Sequence, residues 1–427
     1  MPLFCPTRRR VVAFWARVSI IACWFVAPCL ATAAPVAPAS IRDALLQAWQ
    51  QHPTARVTEA TLAAAEARAD AASKPLYNPE LEWSSEREGT DRTRTLGLSL
   101  TLDTSGKRRA RTLVGQSELR QREAQARSVR QAFASSWLAS WSRGQSAKQR
   151  LELGEERRKL FTRFAELAQK QFTAGDISAL ERDFAFLARS QAEADYSALA
   201  AEFADAEAAL QAIGTDLGLS PVLDSAALPS IEQVPAEALT QLPEWQEAEA
   251  AATAAASAVQ VARSERRPDP TLRLSSGRID LGPATDQVAT VSVSLPLFIR
   301  NSYRAEVVAA TAEADAAAAD VQRVELELGA RLKRSKTTYE ATRMAWESWR
   351  VSPASSRQGR VELLERLWQA GELSTADYLQ QLNQTLDTAL AGAELESRLW
   401  QSATDYLVAT GRLERWLGWS DAGELTR

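Results

Sequence analysis

Ala174-Gly175-Asp176-Ile177-Ser178 returns as Ala370-Gly371-Glu372-Leu373-Ser374, about 195 residues further along the chain. A Gly in each suits the left-handed conformation that commonly ends a helix. A Ser followed three residues later by an acid, Glu181 or Asp377, is a pattern that starts one. Each stretch therefore reads as a helix–turn–helix tip: Gly175, Asp176 and Ser178 in one copy, Gly371, Glu372 and Ser374 in the other. Two more segments repeat at nearly the same spacing. Asn78-Pro79-Glu80-Leu81 returns as Asp269-Pro270-Thr271-Leu272, and Ser99-Leu100-Thr101-Leu102 as Ser294-Leu295-Pro296-Leu297. Both halves have one order: helical stretch, two short alternating segments, long helical stretch, Gly turn, helical stretch. The duplication predicts a pseudo-symmetric fold. Two strands per half predict a sheet completed by other copies of the chain.

Before the first turn, Gly106 opens a helical stretch that runs to about Phe172 without a Pro. Val129, Phe133, Trp137 and Trp141 stand four apart in it, and Leu160, Phe164, Leu167 and Phe172 continue the stripe. Such a helix would be on the order of 100 Å long at 1.5 Å per residue. That length suits a coiled coil or the stave of a helical barrel. Ser178 to about Ile213 returns antiparallel. The second copy runs from Ser302 to Gln369 and back from Ser374 to Leu417, but Pro353 interrupts it where the first copy has Arg157. A mid-helix Pro removes a hydrogen bond and predicts a kink there. Ile41–Ser73 and Glu244–Arg267 read as Ala-rich lead-in helices.

Between lead-in and long helix, each half alternates. Thr93–Leu102 sets Leu96, Leu98, Leu100 and Leu102 against Thr95, Gly97, Ser99 and Thr101. Glu80–Arg87 sets Leu81 and Trp83 against Glu80, Glu82, Ser84 and Glu86. In the second half, Thr271–Arg278 and Gln287–Leu297 are the strands, the latter with Val291, Val293, Leu295 and Leu297 on one side. Glu88–Asp91 and Asp280–Asp286 are the turns. Strands of this length suit a tilted barrel span of roughly 9–11 residues. Leu96, Leu98, Leu100, Val291, Val293 and Leu295 would then face lipid. Four strands with one apolar face cannot close alone, and an open edge is not tolerated in lipid. Tyr77, Trp83, Phe298 and Tyr303 flank the strands, as interface anchors or as plain packing.

The chain has 427 residues and a formal charge of −4, which gives no electrostatic case for nucleic acid. Residues 1–34 read as a secretory signal: Arg8, Arg9, Arg10 and Arg17, an apolar core Val18–Leu30, and Ala31-Thr32-Ala33 for cleavage. All three Cys (Cys5, Cys23, Cys29) fall in it, so the mature chain would carry neither thiol nor disulfide. The expected layout is a signal over 1–34, a first repeat over 35–214, a linker over 215–237, a second repeat over 238–418 and a tail over 419–427. Beyond the signal no run of 18 apolar residues occurs, which excludes membrane helices but not a barrel. No nucleophile–base set, phosphate loop or metal-ligand spacing is present. The expectation is therefore no enzyme, no cofactor and no metal site. The single His, His52, reads as surface or packing.

The residues quoted above resemble the TolC family of trimeric outer-membrane efflux ducts, over about 41–418. The paired turns Phe172–Ser178 and Trp368–Ser374 are its most specific part. Tyr77-Asn-Pro-Glu-Leu81 and the run Leu100–Arg111 resemble the cobalt–zinc–cadmium resistance branch, although Ser105-Gly106 stands where that branch has two Gly. The resemblance implies a mainly α protein with transmembrane β: a homotrimer closing a twelve-stranded barrel in outer-membrane lipid above a periplasmic helical barrel. It implies an exit duct for heavy-metal cations or other small toxic compounds. A periplasmic adaptor and an inner-membrane resistance-nodulation-division pump would meet it at the Gly turns. Asp377 matches the first acidic position of the family's constriction, and Asp377 and Glu181 are the candidate gate ring; Gln380 stands at the next. The same two acids also fit plain helix capping. The competing reading is a soluble periplasmic coiled-coil adaptor or scaffold. Such adaptors carry one helical hairpin between β-rich domains, whereas this chain has two hairpins.

Overall fold

The computed structural model describes residues 36–215, 227–232, 235–352 and 358–419. The expected signal, most of the linker, Pro353 and the tail beyond Trp419 lie outside the described residues. The first half holds α1 (Ala39–Gln51), α2 (Pro53–Ser73), β1 (Glu80–Glu88), β2 (Asp91–Thr101), α3 (Lys107–Ala174) and α4 (Ala179–Ala212). The second holds α5 (Pro243–Glu265), β3 (Thr271–Asp280), β4 (Thr285–Ser294), α6 (Arg304–Val351), α7 (Gln358–Gln369), α8 (Thr375–Ala409) and α9 (Leu413–Leu417).

The 68-residue α3 runs unbroken, as its Pro-free sequence predicts. Its start is held by Asp103, whose carboxylate accepts the backbone N–H groups of Lys107 at 2.9 Å and Arg108 at 2.8 Å. In the second half α6 ends at Val351. Ser352 is extended (ψ 153°), the conformation required before a proline. Arg157, at the matching height of α3, instead ties three helices together. It donates to Asp387 on α8 at 2.9 Å and pairs with Asp195 on α4 at 3.5 Å.

Several boundaries differ from the sequence reading, among them the second hairpin loop, where Asp280 and Asp286 already belong to β3 and β4. Ile41–Ser73 is two helices, because Pro53 forces His52 out of the helical region (ψ 137°). His52 then caps α2, its Nδ1 accepting the Thr54 N–H at 3.2 Å, while its ring lies 5.1 Å from Phe133. The last helix stops at Ala409 and resumes at Leu413, with Gly411 left-handed (φ 67°). The first hairpin turn is only Gly89-Thr90, since Glu88 already pairs with Asp91. β4 ends at Ser294, so Leu295 and Leu297 lie past the ladder. Pro296 has no N–H to extend it, and β3 begins only after Pro270.

The sheet is antiparallel in the order β1-β2-β3-β4, which leaves β1 and β4 as open edges. Helices α3 (68 residues) and α6 (48 residues) are the longest of the described elements. α3 packs against α2, α5, α4 and α8, and α6 against α5 and α8. Two close crossings repeat the duplication with the roles exchanged. Gly154 on α3 receives Leu199 of α4, and Gly392 on α8 receives the Trp349 ring of α6; any Cβ at either Gly would collide with that side chain. One cluster buries Trp137, Trp141, Trp400 and Trp416 with Ile41 and Leu45 of α1, and a second lies under the turns.

Candidate functional site

Two regions carry the expected functional residues, the sheet and the paired turns, and a third, the junction beneath the sheet, was not expected.

Antiparallel register places cross-strand partners on one face. Leu81, Leu98, Leu274 and Val291 form one row, Trp83 and Leu96 lie in the next, and Leu100, Leu272 and Val293 in the row below. Every one of the expected lipid-facing residues inside a strand therefore shares a face. That face is open: Leu98 is 51% exposed and Val293 69%. Leu295 is also exposed, but it stands past the end of β4. The other face is polar, and it is buried only along the middle of β2. Ser99 is 4% exposed, Ser84 and Thr95 hydroxyls meet at 2.6 Å, and Arg273 pairs with Glu82 at 2.9 Å. Gly277 belongs to this face, where a Cβ would strike the Arg94 carbonyl and Thr95. Apolar out and polar in is the pattern of a transmembrane barrel wall. Among the described residues no helix is long and apolar enough to cross a membrane.

Charge divides between the two faces. Glu80, Glu82, Glu86, Glu88, Asp91 and Asp286 all lie on the polar face, with Arg273 as the basic residue of that face. Glu80, Glu82 and Glu86 were legible from strand alternation. Asp91 and Asp286 were not, because they sat in expected turns rather than strands.

Below the sheet the sequence reading missed a built junction. Asp269 is buried and pairs with Lys107 at 2.8 Å; the two side chains are 3% and 11% exposed. Tyr77 donates its hydroxyl to the same carboxylate at 2.9 Å, and the Thr104 N–H reaches it at 3.4 Å. Burial, and next the bond to Asp269, raise the Tyr77 phenol above its usual range. Burial pushes the Asp103 carboxyl up, but the donors of Arg108, Lys107, Gly106 and Ser105 outweigh it and hold it low. The only signal in the sequence was that Tyr77, Asp103 and Lys107 sit in the two motifs that resemble the cobalt–zinc–cadmium resistance branch. Asp269 merely looked like the echo of Asn78.

The two turns are built alike. Gly175 (φ 84°) donates its N–H to Phe172 and Asp176 to Gln171, at 3.0 and 2.8 Å. Gly371 (φ 75°) donates to Trp368 and Glu372 to Leu367, both at 3.0 Å. Ser178 and Ser374 then cap α4 and α8. Glu181 reaches back to the Ser178 N–H at 2.8 Å, a bond that holds its carboxyl below the usual range. Asp377 is one methylene shorter; it takes the Ser374 hydroxyl at 2.6 Å. Asp377 is exposed and Glu181 half-buried. Beneath them Phe164, Trp368 and Tyr378 pack at centroid distances of 4.8–5.3 Å. Burial pushes the Tyr378 phenol up to about 12.

The model of one protein family, described as outer membrane efflux protein, matches residues 44–214 and 234–412. The chain belongs to the outer membrane efflux protein family. One matched stretch falls on each half of the internal duplication. No curated protein matches the chain. Among solved structures it is similar to CusC, described for its folding and transmembrane channel formation, with a TM-score of 0.73 and 18% identity over 88% of this chain and 93% of that one. The CmeC channel of Campylobacter jejuni superposes with a TM-score of 0.72 at 17% identity over 88% and 86%. VceC of Vibrio cholerae gives 0.69 at 18% over 87% and 96%. The channel is thus an exit duct of a tripartite efflux system, seated in the outer membrane with its helices in the periplasm. Channels of this family are trimeric and work with adaptor and pump partners. The soluble-adaptor reading is set aside by the family match.

Proposed function

We propose that three copies of this chain close a twelve-stranded barrel whose acidic inner wall passes heavy-metal cations or other small cationic toxic compounds outward. The segregation of charge on the sheet carries this reading. A lumen lined by carboxylates attracts cations, while the apolar outer face meets lipid. The motifs over 77–81 and 100–111 support the cobalt–zinc–cadmium branch. In this reading the chain is a passive duct without catalysis, organised as two repeats, 35–214 and 238–418, joined by the linker. The turns at Gly175 and Gly371 would meet the periplasmic adaptor, with a resistance-nodulation-division pump beneath. Asp377 and Glu181 would ring the tip in addition to capping their helices.

Three measurements test it. Mass determination of the purified mature chain in detergent should give a trimer, and a stable monomer would reject closure. Reversal potentials across a salt gradient in planar bilayers should show cation preference. Selectivity for anions would reject the acidic-lumen reading. At the tip, Gly175→Val or Gly371→Val should lower efflux while outer-membrane trimers persist; unchanged resistance with both altered would reject adaptor docking there.

A further inference from the structure

The outward face of the sheet changes character toward its hairpins. Above the row of Trp83 and Leu96 comes a row with Ser85, Arg94, Arg278 and Gln287, then one with Arg87, Arg92, Asp280 and Thr285. Each row rises about 7 Å along the strands, two residues at about 3.4 Å each. Arg94 stands directly opposite Arg278, and Arg87 opposite Arg92. All four are exposed. Like charges directly opposite one another destabilise a sheet pair. The acid within the same rows, Asp280, takes the Thr285 hydroxyl at 3.2 Å and forms no ion pair with Arg92. Ring closure supplies no carboxylate either. The neighbouring copy's β4 would bring Thr285, Gln287, Ala289, Val291 and Val293 to this face, none of them acidic.

We infer that Arg87, Arg92, Arg94 and Arg278 form an outward girdle that binds the phosphate groups of anionic lipid in the outer leaflet. The inference rests on the barrel reading above. The helices lie on the periplasmic side, so the hairpin end of the sheet meets the outer leaflet. The girdle begins one row above the apolar band, at headgroup height. Guanidinium groups hold phosphate oxygens bidentately. Phosphate would also offset the repulsion between the facing arginines. Three copies would present twelve guanidinium groups around the rim.

Native mass spectrometry of the purified trimer in detergent tests the girdle, with bisphosphorylated lipid A and its dephosphorylated form as probes. The expected result is retention of lipid A by the trimer, weak retention of the dephosphorylated form, and at least a tenfold loss of lipid A binding in R92Q/R94Q/R278Q. Inorganic phosphate at the same concentration should not displace the lipid. Displacement by phosphate alone would overturn the assignment to a lipid headgroup. Equal lipid A binding by variant and parent trimers would overturn the girdle. The same spectra report the oligomer, so absence of trimers in the parent marks failure of the barrel reading instead. If the triple variant does not assemble, R94Q and R278Q are compared singly. Each should lose several-fold in lipid A binding, and no loss in either would equally overturn the proposal.

Discussion

At Asp269 one carboxylate holds a lysine, a tyrosine and a backbone N–H where helix α3 leaves the sheet. Removing one partner of a buried pair leaves the other charge unpaired, which costs about 3 kcal/mol or more. Asp269→Ala should therefore lower the thermal midpoint of the detergent-solubilised channel markedly. The Asp269→Ala, Lys107→Met double variant should recover much of the loss, because it removes both charges. Failure of the second change to rescue would show that the pair is not the coupled unit. Asp103 adds a pH dependence whose sign follows from its lowered pKa. Its cap is complete above the unfolded carboxylate range near about 4 and is lost as pH falls through the lower folded value. Hydrogen exchange in the first turn of α3 should accelerate only at acid pH. Asp377→Asn separates its two roles. A ring of three carboxylates predicts a drop in cation preference and relief of block by multivalent cations, with little loss of stability. Unchanged conductance would leave Asp377 as a cap alone.

At the scale of elements, the duplicated helices are not interchangeable. The close crossing of each half is made by a glycine, but on the outgoing helix α3 in the first (Gly154) and on the returning helix α8 in the second (Gly392). The Trp349 ring fills the space at Gly392. Gly392→Leu should force α6 and α8 apart and cost on the order of 2 kcal/mol, as overpacking does. Urea denaturation should show it as a lower midpoint at unchanged slope. Gly175 behaves differently, since nothing lies within 4 Å of where its Cβ would sit. Any cost of substitution there comes from its positive φ, so Asn should be tolerated better than Val.

For the whole molecule, the sheet decides how the chain can exist. Its apolar rows are exposed and its first and last strands have open edges. Leu98→Asp and Val293→Asp each place a carboxylate mid-strand on that face, at a cost on the order of 2 kcal/mol in lipid. Both variants should reduce trimer yield in outer-membrane fractions. Normal yield from both would show that this face does not meet lipid.

Periodicity and turn chemistry are local, so the sequence by itself determined the duplication, the four strands, their apolar face, the long Pro-free helix and both capped turns. It also exposed the likeness to efflux ducts, through the turn motifs. The helix break at His52 was readable in principle, since Pro53 alone forces it. Contacts between distant segments were not legible. Asp269 meets Lys107 and Tyr77 only because the strands and helices converge there, and one sequence does not state which buried polar groups find each other. The exchange of roles between Gly154 and Gly392 depends on how helices from different parts of the chain cross. The division of charge between the faces needed the register, because a slip of one residue moves every side chain to the other face. Tertiary structure fixed that register, and with it the acids on one face of the sheet and the arginine band on the other.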